Sequence, residues 1–99
     1  MPALLVRLQV HEIDTWRQVF REEAETRRSN GALHERHFLT ATTPGDVWLL
    51  IEWDDLFRAE LFVKSDDLRA ALIRGGVIGQ PSYWYLEAAD PGPPPQEKE

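Results

Sequence analysis

An α+β domain with its elements in the order β-α-β-β-α-β is predicted by three features of this 99-residue sequence. Two stretches, "ALLVRLQV" at 3–10 and "VWLLIEW" at 47–53, are dense in strand-forming residues. Each is followed by a longer stretch whose apolar residues recur at helical spacing. Between the halves, "TATTPGD" at 40–46 supplies a Pro-Gly turn of the kind that joins two extended runs into a hairpin.

The elements follow in order. Over 3–10, Leu4, Val6, Leu8 and Val10 share one face, while Leu5, Arg7 and Gln9 share the other. A helix then carries Ile13, Trp16, Val19, Phe20 and Ala24 inward, with Asp14 as its N-cap and Asn30-Gly31 as its stop. Arg21, Glu22, Glu25 and Arg28 mark its outer side, and "EEAE" at 22–25 with Arg27 and Arg28 reads as a solvated surface. His11, in the loop before this helix, is expected to be exposed.

"GALHERHF" at 31–38 poses a sharper question. On a helix, His34 and His37 would share a face and could grip a metal. The stretch lies between a terminated helix and the Pro44-Gly45-Asp46 turn, so 33–40 is predicted as a strand and the two imidazoles point to opposite sides. No metal site is expected.

Residues 54–76 read as two helical pieces. Asp54 or Asp55 caps the first. Ser65 caps the second, with Asp66 and Asp67 in its first turn and Gly75-Gly76 at its end. A last strand is predicted over 82–87, after Gly79 and Pro81. Residues 1–89 thus form one domain, and "DPGPPPQEKE" from Asp90 reads as a disordered Pro-rich acidic tail over 90–99. Right-handed crossovers make the whole a ferredoxin-like split βαβ arrangement: a four-stranded antiparallel sheet, spatial order 4-1-3-2, with helices on one face. The other face would carry Leu5, Phe38, Trp48, Leu50, Tyr83 and Tyr85, an apolar patch of the kind that marks an interface or a ligand surface.

Composition narrows the function. A net charge of −6 argues against nucleic acid and anionic membrane surfaces as partners. The chain has no cysteine, hence no disulfide framework, thiolate metal site or cysteine nucleophile. No apolar run is long enough to span a bilayer, and "MPALLVRLQV" lacks the pattern of a signal peptide, so a cytoplasmic, bacterial-type protein is expected. "RGGVIGQP" at 74–81 contains neither GxGxxG nor GK[ST] and follows its helix instead of preceding one, so it is no phosphate loop.

Three stretches, "DTWRQVF" at 14–20, "PGDVWLLIEWDDL" at 44–56 and "SDDLRAALIRGGVIGQP" at 65–81, resemble the dimeric α/β-barrel proteins. That group includes the antibiotic-biosynthesis monooxygenase-like proteins and short actinobacterial proteins labelled cyclases. The resemblance covers about residues 3–88. It implies a homodimer in which two bare sheet faces close into a barrel. It also implies a range of activities: cofactor-free oxidation of aromatic polyketides, cyclisation, haem degradation or none. Trp16, Asn30 and the histidines do not match the Asn, Trp and His of haem-degrading members, and no catalytic motif carries over.

A hairpin centred on Pro44 would set Arg36 opposite Glu52 and Phe38 opposite Leu50. His34, Arg36, Trp48 and Glu52 would then share the barrel face with Arg7 and Gln9. Glu52 or His34 would serve as a base, and Arg36 or Arg7 would steady the anion. Arg7, Gln9, Trp48, Tyr83 and Tyr85 would contact a small apolar or aromatic ligand, with no cofactor and no metal. The expectation, which the resemblance implies, is therefore a cofactor-independent monooxygenase or cyclase acting on a small aromatic or polyketide-like substrate. The alternative is a non-catalytic dimeric ligand-binding or interaction module, in which Arg36 and Glu52 merely neutralise each other.

Overall fold

The computed structural model describes residues 1–89; the expected tail at 90–99 lies outside them. Strands β1 (Ala3–Val10), β2 (Ala32–Leu39), β3 (Asp46–Trp53) and β4 (Val77–Leu86) form one antiparallel sheet in the order β2-β3-β1-β4. Helices α1 (Ile13–Glu22) and α2 (Ala24–Ser29) connect β1 to β2, while α3 (Leu56–Val63) and α4 (Asp66–Arg74) connect β3 to β4. This is the predicted ferredoxin-like arrangement with its predicted strand order.

The core lies on the helix side of the two central strands. Leu4, Val6, Leu8 and Val10 of β1 pack with Val47, Leu49, Ile51 and Trp53 of β3, all buried. The cross-strand pairs Leu4↔Ile51, Val6↔Leu49 and Leu8↔Val47 place them on one face. Each such side chain contributes about 1.5–3 kcal/mol relative to exposure. Trp16, Val19, Ala59 and Phe62 complete the core from the helices. Trp53 leaves its Nε1–H buried without an acceptor among the described residues.

Helix signals hold in the second half of the chain and only in part in the first, where the Asn30-Gly31 stop is as expected. Asp55 accepts from Phe57 N at 2.7 Å and Ser65 accepts from Leu68 N at 3.1 Å, so both caps of the second half are as expected. The first helix does not begin with an Asp14 cap; Glu12 holds that position, with no side-chain capping bond. Nor is it continuous, for the chain bends at Glu23 and α2 restarts at Ala24. Arg27, expected on the solvated side, is 4% exposed.

Two registers differ from expectation. The β2–β3 hairpin pairs His34↔Glu52, Arg36↔Leu50 and Phe38↔Trp48, two positions away from the Arg36–Glu52 and Phe38–Leu50 pairing. Its turn centres on Thr43 instead of Pro44, because Thr40 N donates to Asp46 O and Asp46 N to Thr43 O. An even shift changes partners without changing faces. In β4 the difference is larger. The strand begins at Val77, its ladder slips between Gln9↔Ile78 and Arg7↔Ser82, and it resumes as Val6↔Tyr83, Leu5↔Trp84 and Leu4↔Tyr85. The slip at Gly79–Pro81 is also even, so it changes partners and keeps the odd positions of β4 on the side of Val77, which pairs with Val10. Tyr83 and Tyr85 therefore lie on the helix side, and Trp84 takes their place on the open face.

Two glycines test this backbone. Gly45 has φ +82°, and a Cβ there would meet Val10 O at 2.6 Å; Gly79 has φ +69° with nothing within 4 Å. Left-handed backbone costs an L-residue about 1–2 kcal/mol. Gly79→Ala should lose about that much stability in urea denaturation, and Gly45→Ala clearly more, since a backbone carbonyl must also move.

Candidate functional site

The open face of the sheet holds most of the expected site residues. Trp48 lies opposite Arg7 on one side and Phe38 on the other. Its indole stacks on Trp84 with centroids 5.8 Å apart, and the Arg7 guanidinium sits 5.3 Å from the Trp48 ring. Arg7 also donates from Nε to Asp46 Oδ1 at 3.1 Å and from Nη2 to Oδ2 at 3.3 Å, while Thr40 Oγ1 donates to Oδ2 at 2.8 Å. These donors, Arg7 foremost, hold the Asp46 carboxyl below the usual carboxylate range. Asp46 does not stand out in the sequence, where it reads as a turn residue; its burial at 3% depends on the hairpin closing over it.

The expected catalytic group does not assemble here. Arg36 lies opposite Leu50 and places its guanidinium 5.1 Å from the Phe38 ring, so the Arg36–Glu52 ion pair is absent. His34 is Glu52's neighbour across the ladder, and no hydrogen bond or ion pair joins them. Gln9 pairs with Asp46 and Ile78 at the far end of the face, remote in the ladder from Glu52, which pairs with Ala3. Among the described residues, no cluster of three or more His, Asp or Glu could hold a metal.

A second group of polar and aromatic side chains gathers on the other side of the sheet. Between sheet and helices is a cavity of about 60 Å³, lined by Trp16, Phe20, Arg27, Leu49, Leu72 and Tyr83 among others. Trp16 and Phe20 stack at 5.0 Å, and His37 meets both rings edge-on at 5.4 and 5.6 Å. Burial raises the Tyr83 phenol above its ordinary range. Arg27 lies with its guanidinium carbon 3.8 Å from the Phe20 ring centre and donates to Glu35 from both Nε and Nη2, the latter at 3.0 Å. The sequence carries a signal for this arginine. Phe20 and Arg27 are seven apart, one full return of the inward stripe. Glu35 shares the parity of His37, whose ring packs on the helix side as the strand alternation predicts.

A wider groove of about 330 Å³ lies on the far side of α4 and shares Leu68, Leu72 and Tyr83 with the cavity. Helix α4 contributes no buried residue, and Arg74 ties it to α1 through Glu22 at 2.7 Å and to Glu23 at 3.1 Å. It is a loosely seated partition between the two spaces.

His37 gives the site a pH signature. Desolvation foremost, then Arg17 on α1, lowers its pKa from 6.5, against the opposing pull of Glu35 on its own strand. The unfolded chain therefore binds this proton first, so the contribution of His37 to stability is present above pH 6.5 and lost as pH falls through the lower folded value. His37→Gln should flatten the fall in melting temperature across that mildly acidic window.

No family model matches the sequence, and no curated protein does. Solved structures match over nearly the whole described chain. One, assigned provisionally to the antibiotic biosynthesis monooxygenases of Caulobacter crescentus CB15, superimposes with TM-score 0.71 at 20% identity, covering 90% of each chain. SnoaB, a cofactor-independent oxygenase from Streptomyces nogalater, gives TM-score 0.72 at 12% identity, covering 93% of this chain and 96% of its own. A conserved protein from Methanosarcina mazei Go1 gives 0.69 at 13%, covering 89% and 92%. At these identities the likeness is one of fold: the chain has the ferredoxin-like fold of antibiotic biosynthesis monooxygenase-like proteins.

Proposed function

We propose that this protein binds a small aromatic or polyketide-like molecule in the cavity between helices and sheet and oxidises it with molecular oxygen alone. The observation that carries the reading is an apolar cavity walled by Trp16, Phe20 and Tyr83, in a fold shared with a cofactor-independent oxygenase. The chemistry needs no external reductant. A methylene made acidic by neighbouring carbonyl or aryl groups gives up a proton, and the carbanion adds dioxygen to form a hydroperoxide. Cleavage of its O–O bond, with loss of the second C–H proton, releases water and leaves a carbonyl. One methylene and one dioxygen thus give one carbonyl and one water, and all four electrons come from the substrate carbon. Cyclisation would start from the same carbanion.

Size sets a condition. A cavity of 60 Å³ holds about two waters, each taking ~30 Å³, whereas benzene needs ~150 Å³. A ring can enter if α4 shifts and joins the cavity to the neighbouring groove, a space within the ~300–1,000 Å³ usual for ligand sites. The two ion pairs of Arg74 that oppose this shift are partly exposed and cost little to break.

A non-catalytic ligand-binding or interaction module is the second reading. What favours it is the shortage of a free base on the cavity wall: Glu23 is held by Arg74, and Asp67 is exposed. The candidates Glu52, His34 and Arg36 face the other way. In either reading we propose that two copies of a cytoplasmic protein close their open faces on each other. Phe38, Trp84, Leu86 and Ile78 are each more than two-fifths exposed there, a large apolar display for a lone chain.

The test of the ligand site is Ala71→Phe, which places a ring in the cavity from α4. Small phenols and quinones should raise the melting temperature of the wild type and not of the variant, and oxygen uptake without added cofactor should disappear with binding. Stabilisation that survives the substitution sinks the site. Binding without oxygen uptake leaves the module. Light scattering should report a dimer, and Trp48→Glu a monomer; a stable wild-type monomer at micromolar concentration ends the dimer proposal.

A further inference from the structure

We infer that Arg27 is the anion-holding residue of the helix–sheet cavity, which takes its aromatic ligand as a phenolate or enolate with the oxyanion on the arginine's free edge. The inference rests on the reading of this cavity as the ligand site.

Arginine is seldom buried without a partner, and Arg27 is 4% exposed. Glu35 neutralises it through Nε and Nη2. That leaves Nη1, which has no acceptor among the described residues. Nor is this nitrogen sealed, since the buried side-chain atom lacking a partner among the described residues is Trp53 Nε1. The open space that Arg27 lines is the cavity; Glu35 does not line it. The pair is thus oriented, with its cationic member on the cavity wall and its anionic member behind.

The surroundings favour an oxyanion there. The Phe20 ring beneath the guanidinium fixes its plane, leaving few conformations to lose on binding. Of the two carboxylates on the lining, Glu23 is matched by Arg74 and Asp67 is exposed to solvent, so neither offsets the arginine inside. A hydrogen bond from a charged donor to a charged acceptor in a water-poor space is among the stronger ones a protein makes. The proton lost by the ligand goes to solvent. The same contact would hold the carbanion of the proposed oxidation as its enolate.

A purely structural Arg27, pinning α2 to β2 through Glu35, would make no distinction between ionised and neutral ligands. The experiment therefore reads ligand ionisation. With 4-nitrophenol, whose two forms absorb differently, and nitrobenzene as its neutral counterpart, the wild type should bind the phenolate at least tenfold more tightly. The bound phenol should then titrate about one pH unit or more below the free one. Arg27→Gln should abolish that preference and Arg27→Lys should restore part of it. Glu35→Gln keeps hydrogen-bond acceptance while removing the balancing charge, so it should strengthen the preference; it also provides the test if Arg27→Gln fails to fold. Equal binding of the two probes, or a preference unmoved by both substitutions, overturns the role of Arg27 while leaving the cavity as a ligand site. Probes that do not bind at all, or whose binding ignores Ala71→Phe, overturn the cavity reading and this inference with it.

Discussion

The antiparallel pairing of β1 with β3 is the constraint on which the rest of the molecule depends. Leu4, Val6 and Leu8 stand against Ile51, Leu49 and Val47, and Leu4 and Val47 have no exposed surface at all. A slip of one residue would turn these side chains out and bring Leu5, Arg7, Trp48 and Leu50 beneath the helices. Arg7 could not be accommodated there without a partner. The pairing is therefore held by burial on one face and by a polar anchor on the other, where Arg7 and Thr40 converge on Asp46.

Burial falls off from this pair toward both edges. The helices are short and each connection is broken in two, so four separate segments cover the sheet. α1 seats Trp16 and Val19 firmly, whereas α4 seats nothing fully. The shortfall in cover appears as space: the cavity near α1 and the groove beyond α4. A tighter helix layer would make a more stable domain and would leave no room for a ligand. Low local packing beside a formed core is where opening motions are cheapest, so the loosely packed α4 is both the weak point of the fold and the entrance that the proposed site requires.

Legibility in the sequence follows the same gradient. β1 and β3 are readable because one-sided or continuous burial imprints a strong pattern, and Ser65 and Asp55 are readable because capping is local. The hairpin register expected from the sequence is two positions off, since Pro44-Gly45 draws the eye to a turn that in fact centres on Thr43. The side taken by Tyr83 and Tyr85 follows by simple alternation from Val77, and it is missed when the strand is started only after Pro81, because the slip at Gly79–Pro81 is even. Sequence reasoning seeks the site on the face richest in polar residues. On this face Arg7 is paired with Asp46 and Arg36 lies beside Phe38, an arrangement that solvent or a partner surface also tolerates, so polar richness alone does not single out a site.

Arg27 shows what a better criterion would be. Its position seven after Phe20 puts it on the apolar stripe of the single amphipathic helix that the sequence suggests, and the odd parity of Glu35 puts a carboxylate on the same side of an edge strand. A charge that interrupts an apolar stripe must be matched or it destabilises the fold, so an acidic residue of the right parity nearby is predictable once the stripe is taken seriously. The bend at Glu23 then acquires a role. By restarting the helix at Ala24 it gives the last turns their own direction, and within them Arg27 settles over Phe20 and against Glu35. Replacing a part-buried pair such as this by apolar residues of similar volume is often neutral or stabilising. An oriented charge on the wall of an otherwise apolar cavity is what the proposed anionic ligand would require, whereas the fold alone does not require it.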